Sequence, residues 1–175
     1  MATVSAKEYI QNVLIAEIGS LRKSHPYFAF FLIAAGIEFL GKAILNIPWH
    51  DKHNPPYAFK TAINKLPGLR LYTPIDSILY KDLRCGVLHA NLPGKEILLG
   101  SGASVENLNE RPIQLFIENF YENFVEACNC VIKKIDNGDI KPPNFMNIQI
   151  QSNKTEQNNT IMLSGCSPNN RKIKL

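Results

Sequence analysis

This sequence has little of what marks several common classes of protein. No dense cluster of Lys and Arg with interleaved aromatics occurs, so the pattern of a general nucleic-acid binder is missing. Cysteine is sparse: Cys85, Cys128, Cys130 and Cys166 are the four. Cys128-Asn129-Cys130 is too tightly spaced for the usual zinc pair, and on a helix its thiols point in different directions. Unpaired thiols of a reduced, cytoplasmic chain are the expectation. The first twenty residues carry no secretory pattern, because Lys7, Glu8 and Glu17 interrupt any apolar stretch. There is no internal repeat. One run, 27–47, is apolar enough to suggest a membrane span, but Glu38 and Lys42 would sit deep inside it. A buried helix, and no membrane partner, is the better expectation.

What is present suits one self-sufficient core. Apolar residues make up 45% of the 175, which argues against a disordered chain. Charge is unevenly placed. Lys and Arg against Asp and Glu count eleven to seven in 1–104, three to seven in 105–140, and five to one in 141–175. The body and tail are mildly basic around an acidic late segment, a balance that tolerates a polyanion in one groove.

Hydrophobic periodicity organises residues 1–140 into a helical domain. Tyr9, Ile10, Val13, Leu14, Ile18 and Leu21 predict a helix over 5–22. Ser24 and Pro26 punctuate the chain, and a second helix over 26–46 is apolar nearly all round in its first half. Prolines and polar residues in 48–56 predict a loop, with Trp49 plugging the end of the bundle. A short helix is expected over 57–66. Thr73, Pro74 and Asp76 supply a cap, a first-turn proline and an acidic residue, which predict a helix from 74 to about 90. It should stop before Asn91-Leu92-Pro93-Gly94. A loop follows over 95–108, with a short strand at 97–99. A last helix is expected over 110–136, ended by Asn137-Gly138. The 141–175 tail reads as a β-hairpin, from Ile148-Gln149-Ile150-Gln151 and Ile161-Met162-Leu163, or as disordered. The class is all-α.

Two segments bear chemistry. His50-Asp51-Lys52-His53 offers possible zinc donors, but no strong fourth ligand accompanies them. No metal or cofactor is therefore expected. The 74–90 helix is the more informative. At 100° per residue, Ile75, Leu79, Leu83 and Val87 face the core. Arg84 and His89 flank that stripe about 140° apart, bracketing a face of Lys81, Cys85 and Leu88. A two-fold related copy would bring two such pairs into one positive cleft. The purely structural readings are that Arg84 pairs with Glu38, Asp82 or an acidic residue of 110–136, and that His89 closes the helix end.

Leu83-Arg84-Cys85-Gly86-Val87-Leu88-His89 resembles the arginine, four-to-six residues, histidine motif of the HEPN superfamily. The upstream helix with Ile37-Glu38-Phe39-Leu40-Gly41-Lys42 and the following long helix extend the resemblance over about 5–136. It implies a four- or five-helix bundle that commonly dimerises. It also implies a metal-independent endoribonuclease of the kind found in toxin–antitoxin, abortive-infection and RNA-processing systems. The alternative is a non-catalytic module that binds a nucleotide or a protein, such as an antitoxin. Carried onto this chain, Arg84 would hold the scissile phosphate and His89 would serve as acid or base in 2′-OH attack. Glu38 would orient either residue, and Lys81 would add positive potential. Active members usually carry a polar residue directly after the arginine, a place held here by Cys85.

Overall fold

The computed structural model describes residues 4–51, 54–86 and 92–144. Helix α1 is continuous through three segments, Ala6–Tyr9, Ile10–Glu17 and Ile18–Ser24. Ser5 and Glu8 begin it with a reciprocal capping box: Glu8 N donates to Ser5 Oγ at 3.1 Å, and Ser5 N donates to Glu8 Oε2 at 2.8 Å. Its middle segment is wound in the wider, i→i+5 manner. Ile10, Leu14 and Ile18 lie buried at four-residue steps.

Helix α2, Pro26–Leu45, is the central element, packed against most of the others. By length and composition it could cross a membrane, yet 56% of its most apolar window is buried within this protein. Its apolar surface is therefore largely used by the fold. Asn46, in the left-handed region at φ 54°, ends it. Helix α3, Pro55–Lys65, starts two residues earlier than expected because both prolines fit its first turn. It approaches α2 so closely that Gly41 lies directly against the Ala58 carbonyl.

Helix α4 departs from expectation. It runs through Arg70–Ile75 as a tight 3₁₀ turn, then Asp76–Ile78, then Leu79–Cys85 in the wide i→i+5 form. Thr73 and Pro74 lie inside the 3₁₀ turn, and Thr73 caps nothing. The reason is packing. Leu69, Tyr72 and Ile75, three residues apart, stack on one side of a three-residue turn and are all fully buried. Asp76 joins α3 instead of free amides, accepting from Asn64 Nδ2 at 3.3 Å. The expected core stripe holds at Ile75, Leu79 and Leu83; Val87 lies outside the described residues.

Strand β1, Ile97–Gly100, extends the expected short strand by one residue. Its partner was not expected. Ile113–Phe116, read from sequence as helix, is strand β2, parallel to β1 with Ile97 opposite Ile113. Ile113 and Leu115 are buried while Gln114 is exposed, the period-two pattern of a strand. The protein is thus mostly helical with a small two-stranded parallel sheet. Helix α5, Ile117–Asp136, buries Phe120, Phe124, Ala127, Cys128 and Val131 against α2 and α1. Asn137-Gly138 ends it as expected: Gly138, at φ 77°, and Asp139 donate back to Ile135 O and Lys134 O. The chain then turns back over the end of α2, where Lys141 N donates to Asn46 Oδ1 at 3.1 Å. The strands expected in the tail lie outside the described residues.

Candidate functional site

The wide winding of Leu79–Cys85 sets the geometry of the site. Gly86 N donates to Lys81 O, five residues back. Such bonds widen the helix and bring residues five apart within it towards one side. Tyr80 and Cys85 consequently share a side, with the thiol near enough to act on the Tyr80 hydroxyl. Burial, then the Cys85 contact, pushes the Tyr80 hydroxyl pKa upward, with Arg84 opposing. The Arg84 guanidinium carbon lies 5.7 Å from the centre of the Tyr80 ring.

Across the interface, α2 presents Glu38. Arg84 Nη2 approaches Glu38 Oε2 to 2.6 Å, while Lys42 Nζ stands 3.5 Å from Oε1. The Arg84 contact is close but not aligned as a hydrogen bond, so its attraction is mainly that of opposite charges. Lys42 also donates to the carbonyls of Trp49, at 3.2 Å, and Asp51, at 2.9 Å. It thereby clamps the loop after α2 onto the same cluster. The Arg84 and Glu38 side chains are 19% and 10% exposed, so solvent screens the pair only in part. One carboxylate between two cations leaves the cluster net positive. The buried Arg84 Nε has no hydrogen-bond partner among the described residues. Such a cluster can hold an anion.

The structure therefore brings Glu38 to Arg84, one of the pairings open from sequence, and sets Cys85 beside them through Tyr80. Lys81 points to solvent. His89 lies outside the described residues, as does His53, while His50 is exposed. Among the described residues no group of three or more His, Cys, Asp or Glu side chains could hold a metal ion.

Sequence reasoning missed the part of Lys42, signalled by its spacing, four residues after Glu38 on one helix face. Asp82, one of the partners left open for Arg84, turns to the backbone instead. It is buried, its Oδ2 accepts from Glu96 N at 3.0 Å, and its backbone carbonyl accepts from Gly94 N at 2.7 Å. It thus pins the Gly94 turn that leads into β1 against α4.

Behind Glu38 and Lys42, between α1 and α2, runs a groove of about 420 Å³, lined by Tyr9, Val13, Leu32, Phe39 and Trp49. Tyr9 and Phe39 ring centres are 5.0 Å apart. Phe39 and Trp49 stack at 4.2 Å, nearly parallel, so Trp49 packs against α2 at the groove. Compared with known proteins, this chain matches no family model, no curated protein and no solved structure.

Proposed function

We propose that this chain is a HEPN-like helical protein of the cytoplasm that cleaves RNA without a metal, through Arg84 and His89. The observation that carries the reading is the fixing of Arg84. Glu38 and the Tyr80 ring hold its guanidinium on a rigid helix, within a cluster of net positive charge, five residues before a histidine. In the reaction His89 removes the proton of a ribose 2′-OH, and the freed oxygen attacks the adjacent phosphorus. The bond from phosphorus to the 5′-oxygen breaks, that oxygen takes up a proton, and a 2′,3′-cyclic phosphate remains. Arg84 neutralises the charge gathering on the phosphate oxygens. Glu38 acts as a positioning residue and Lys42 keeps the cluster positive. A homodimer would place two such pairs in one cleft, with RNA as substrate and an antitoxin-like protein as a regulating partner.

One observation favours a second reading, a non-catalytic interaction module. Arg84 already has a carboxylate partner and is largely covered. Purified protein incubated with mixed RNA, with and without EDTA, separates the two. Cleavage that persists in EDTA and disappears in both Arg84→Ala and His89→Ala supports the enzyme. No cleavage by the wild type, or cleavage that survives both substitutions, removes it.

A further inference from the structure

The groove between α1 and α2 is charged at one end and walled by leucines at the other. The two helices run antiparallel along it: the chain turns between them at His25, and the Tyr9 ring meets Phe39 at 5.0 Å. Glu38 and Lys42 therefore stand with Tyr9 at one end, while Leu21 and Leu32 line the other. The volume of about 420 Å³ falls in the range of small-molecule sites. Leu32 is 44% exposed and Ala35 also faces water, so no core side chain fills the apolar end.

Lys42 selects the head group. Its side chain lines the groove and is only 12% exposed. Two of its three N–H donors go to the carbonyls of Trp49 and Asp51. For the third there is Glu38 Oε1, which at 3.5 Å lies beyond the reach of a charge-assisted hydrogen bond. Glu38 is already balanced by Arg84 at 2.6 Å. An anionic group at this end can take the third donor, whereas a cationic group would meet Lys42 and Arg84 together. Glu17, the other carboxylate of the groove, is exposed on the rim, where water and salt screen it.

The length of the groove sets the size of the ligand. From Lys42 back to Leu32 is ten residues of helix, about 15 Å. Carbon–carbon bonds of about 1.5 Å in a staggered zigzag advance roughly 1.3 Å each, so about twelve carbons span it. We propose that the groove binds a single-chain aliphatic carboxylate, its tail along Val13, Ala35 and Leu32 and its carboxylate on Lys42 Nζ. This proposal is independent of RNA cleavage, and none of its measurements reads activity.

The test titrates the full chain with sodium dodecanoate below its micelle-forming concentration. Heat is followed together with the emission of Trp49, the single tryptophan, which lines the groove. Saturable binding of one dodecanoate per chain is expected, with a change in Trp49 emission. Decanoate, two methylenes shorter, should bind roughly fifteenfold more weakly, since each buried methylene contributes about fourfold. Dodecanol and dodecylamine should each bind about tenfold more weakly than dodecanoate, for want of the charged hydrogen bond. Lys42→Met should remove the preference for dodecanoate over dodecanol. Ala35→Trp sets an indole into the groove from an exposed position, and should abolish binding while the circular dichroism spectrum stays that of the wild type. Absent or unsaturable binding of dodecanoate would overturn the proposal. So would dodecylamine binding as tightly as dodecanoate, or unchanged affinity in a folded Ala35→Trp protein.

Discussion

Arg84 Nη2 lies 2.6 Å from Glu38 Oε2 across the contact between α4 and α2. Glu38→Ala strands the largely covered Arg84 charge and should cost about 3 kcal/mol of stability in urea unfolding, and Arg84→Ala should cost less because Lys42 still faces Glu38. Replacing both together by apolar residues, Glu38→Leu with Arg84→Met, should recover much of that loss. If the single costs are negligible and simply additive, the pair is a surface contact and does not hold the two helices in place.

Asp82 secures the turn that follows the Arg84 segment, through Glu96 N on its carboxylate and Gly94 N on its backbone carbonyl. A hydrogen bond to a charged acceptor contributes about 2 kcal/mol. Asp82→Ala should therefore speed amide exchange at Glu96 selectively, while amides in α5 keep their protection. Equal acceleration throughout the protein would mean that the turn has no separate dependence on Asp82.

Glu106 receives Tyr72 Oη at 3.0 Å and Phe116 N at 2.8 Å, joining the 101–112 loop to α4 and β2. Burial outweighs these donors and holds its carboxyl above the usual carboxylate range. The folded protein thus binds that proton more tightly than the unfolded chain does. Its contribution to stability is fullest below the unfolded pKa and is lost as pH rises to the folded value. Glu106→Gln should remove this decline, so that stability measured from acidic to neutral pH falls less, or rises more, than in the wild type. Parallel pH profiles for the two proteins would exclude the effect.

Gly41 and Gly138 are required for different reasons. A Cβ at Gly41 would collide with the Ala58 carbonyl, part of the α3 backbone, which cannot swing aside. Gly41→Ala should cost about 3 kcal/mol by forcing α2 and α3 apart. Gly138 has nothing within 4 Å, but its φ of 77° strains most other residues. Gly138→Ala should cost about 1 kcal/mol, and Gly138→Asn less, because Asn tolerates the left-handed region. Thermal melts of the three variants test the order, and equal losses at the two sites would contradict it.

Much of this fold was legible in the amino-acid order. Helices α1 and α2 sit within two residues of their expected ends, because long apolar periodicity and the Pro26 and Asn46 signals are local chemistry. The end of α5 is equally local, since Gly138 alone relieves the left-handed turn there. The errors share a cause. Thr73-Pro74-Ile75-Asp76 has good helix-start chemistry, but burying Leu69, Tyr72 and Ile75 together favours a three-residue turn. The segment 113–116 follows a proline and precedes a strongly periodic helix, so it read as helix. Pairing with Ile97–Gly100 supplies the strand hydrogen bonds that its own sequence does not announce.

For the candidate site, the sequence by itself determined which groups are available: a guanidinium on one helix, a carboxylate and an ammonium four residues apart on another. Their spacing along each helix follows from the chain alone. Only tertiary structure decided that Glu38 takes Arg84 while Asp82 turns to the backbone of 94–96, because the choice rests on how α2 and α4 cross. The wide turn at 79–85, which places Tyr80 beside Cys85, belongs to the same class. Local propensity differs by only tenths of a kcal/mol per residue among ordinary side chains, roughly, whereas burying one large apolar group is worth about 2 kcal/mol. Where the two compete, the packed core sets the winding of the helix.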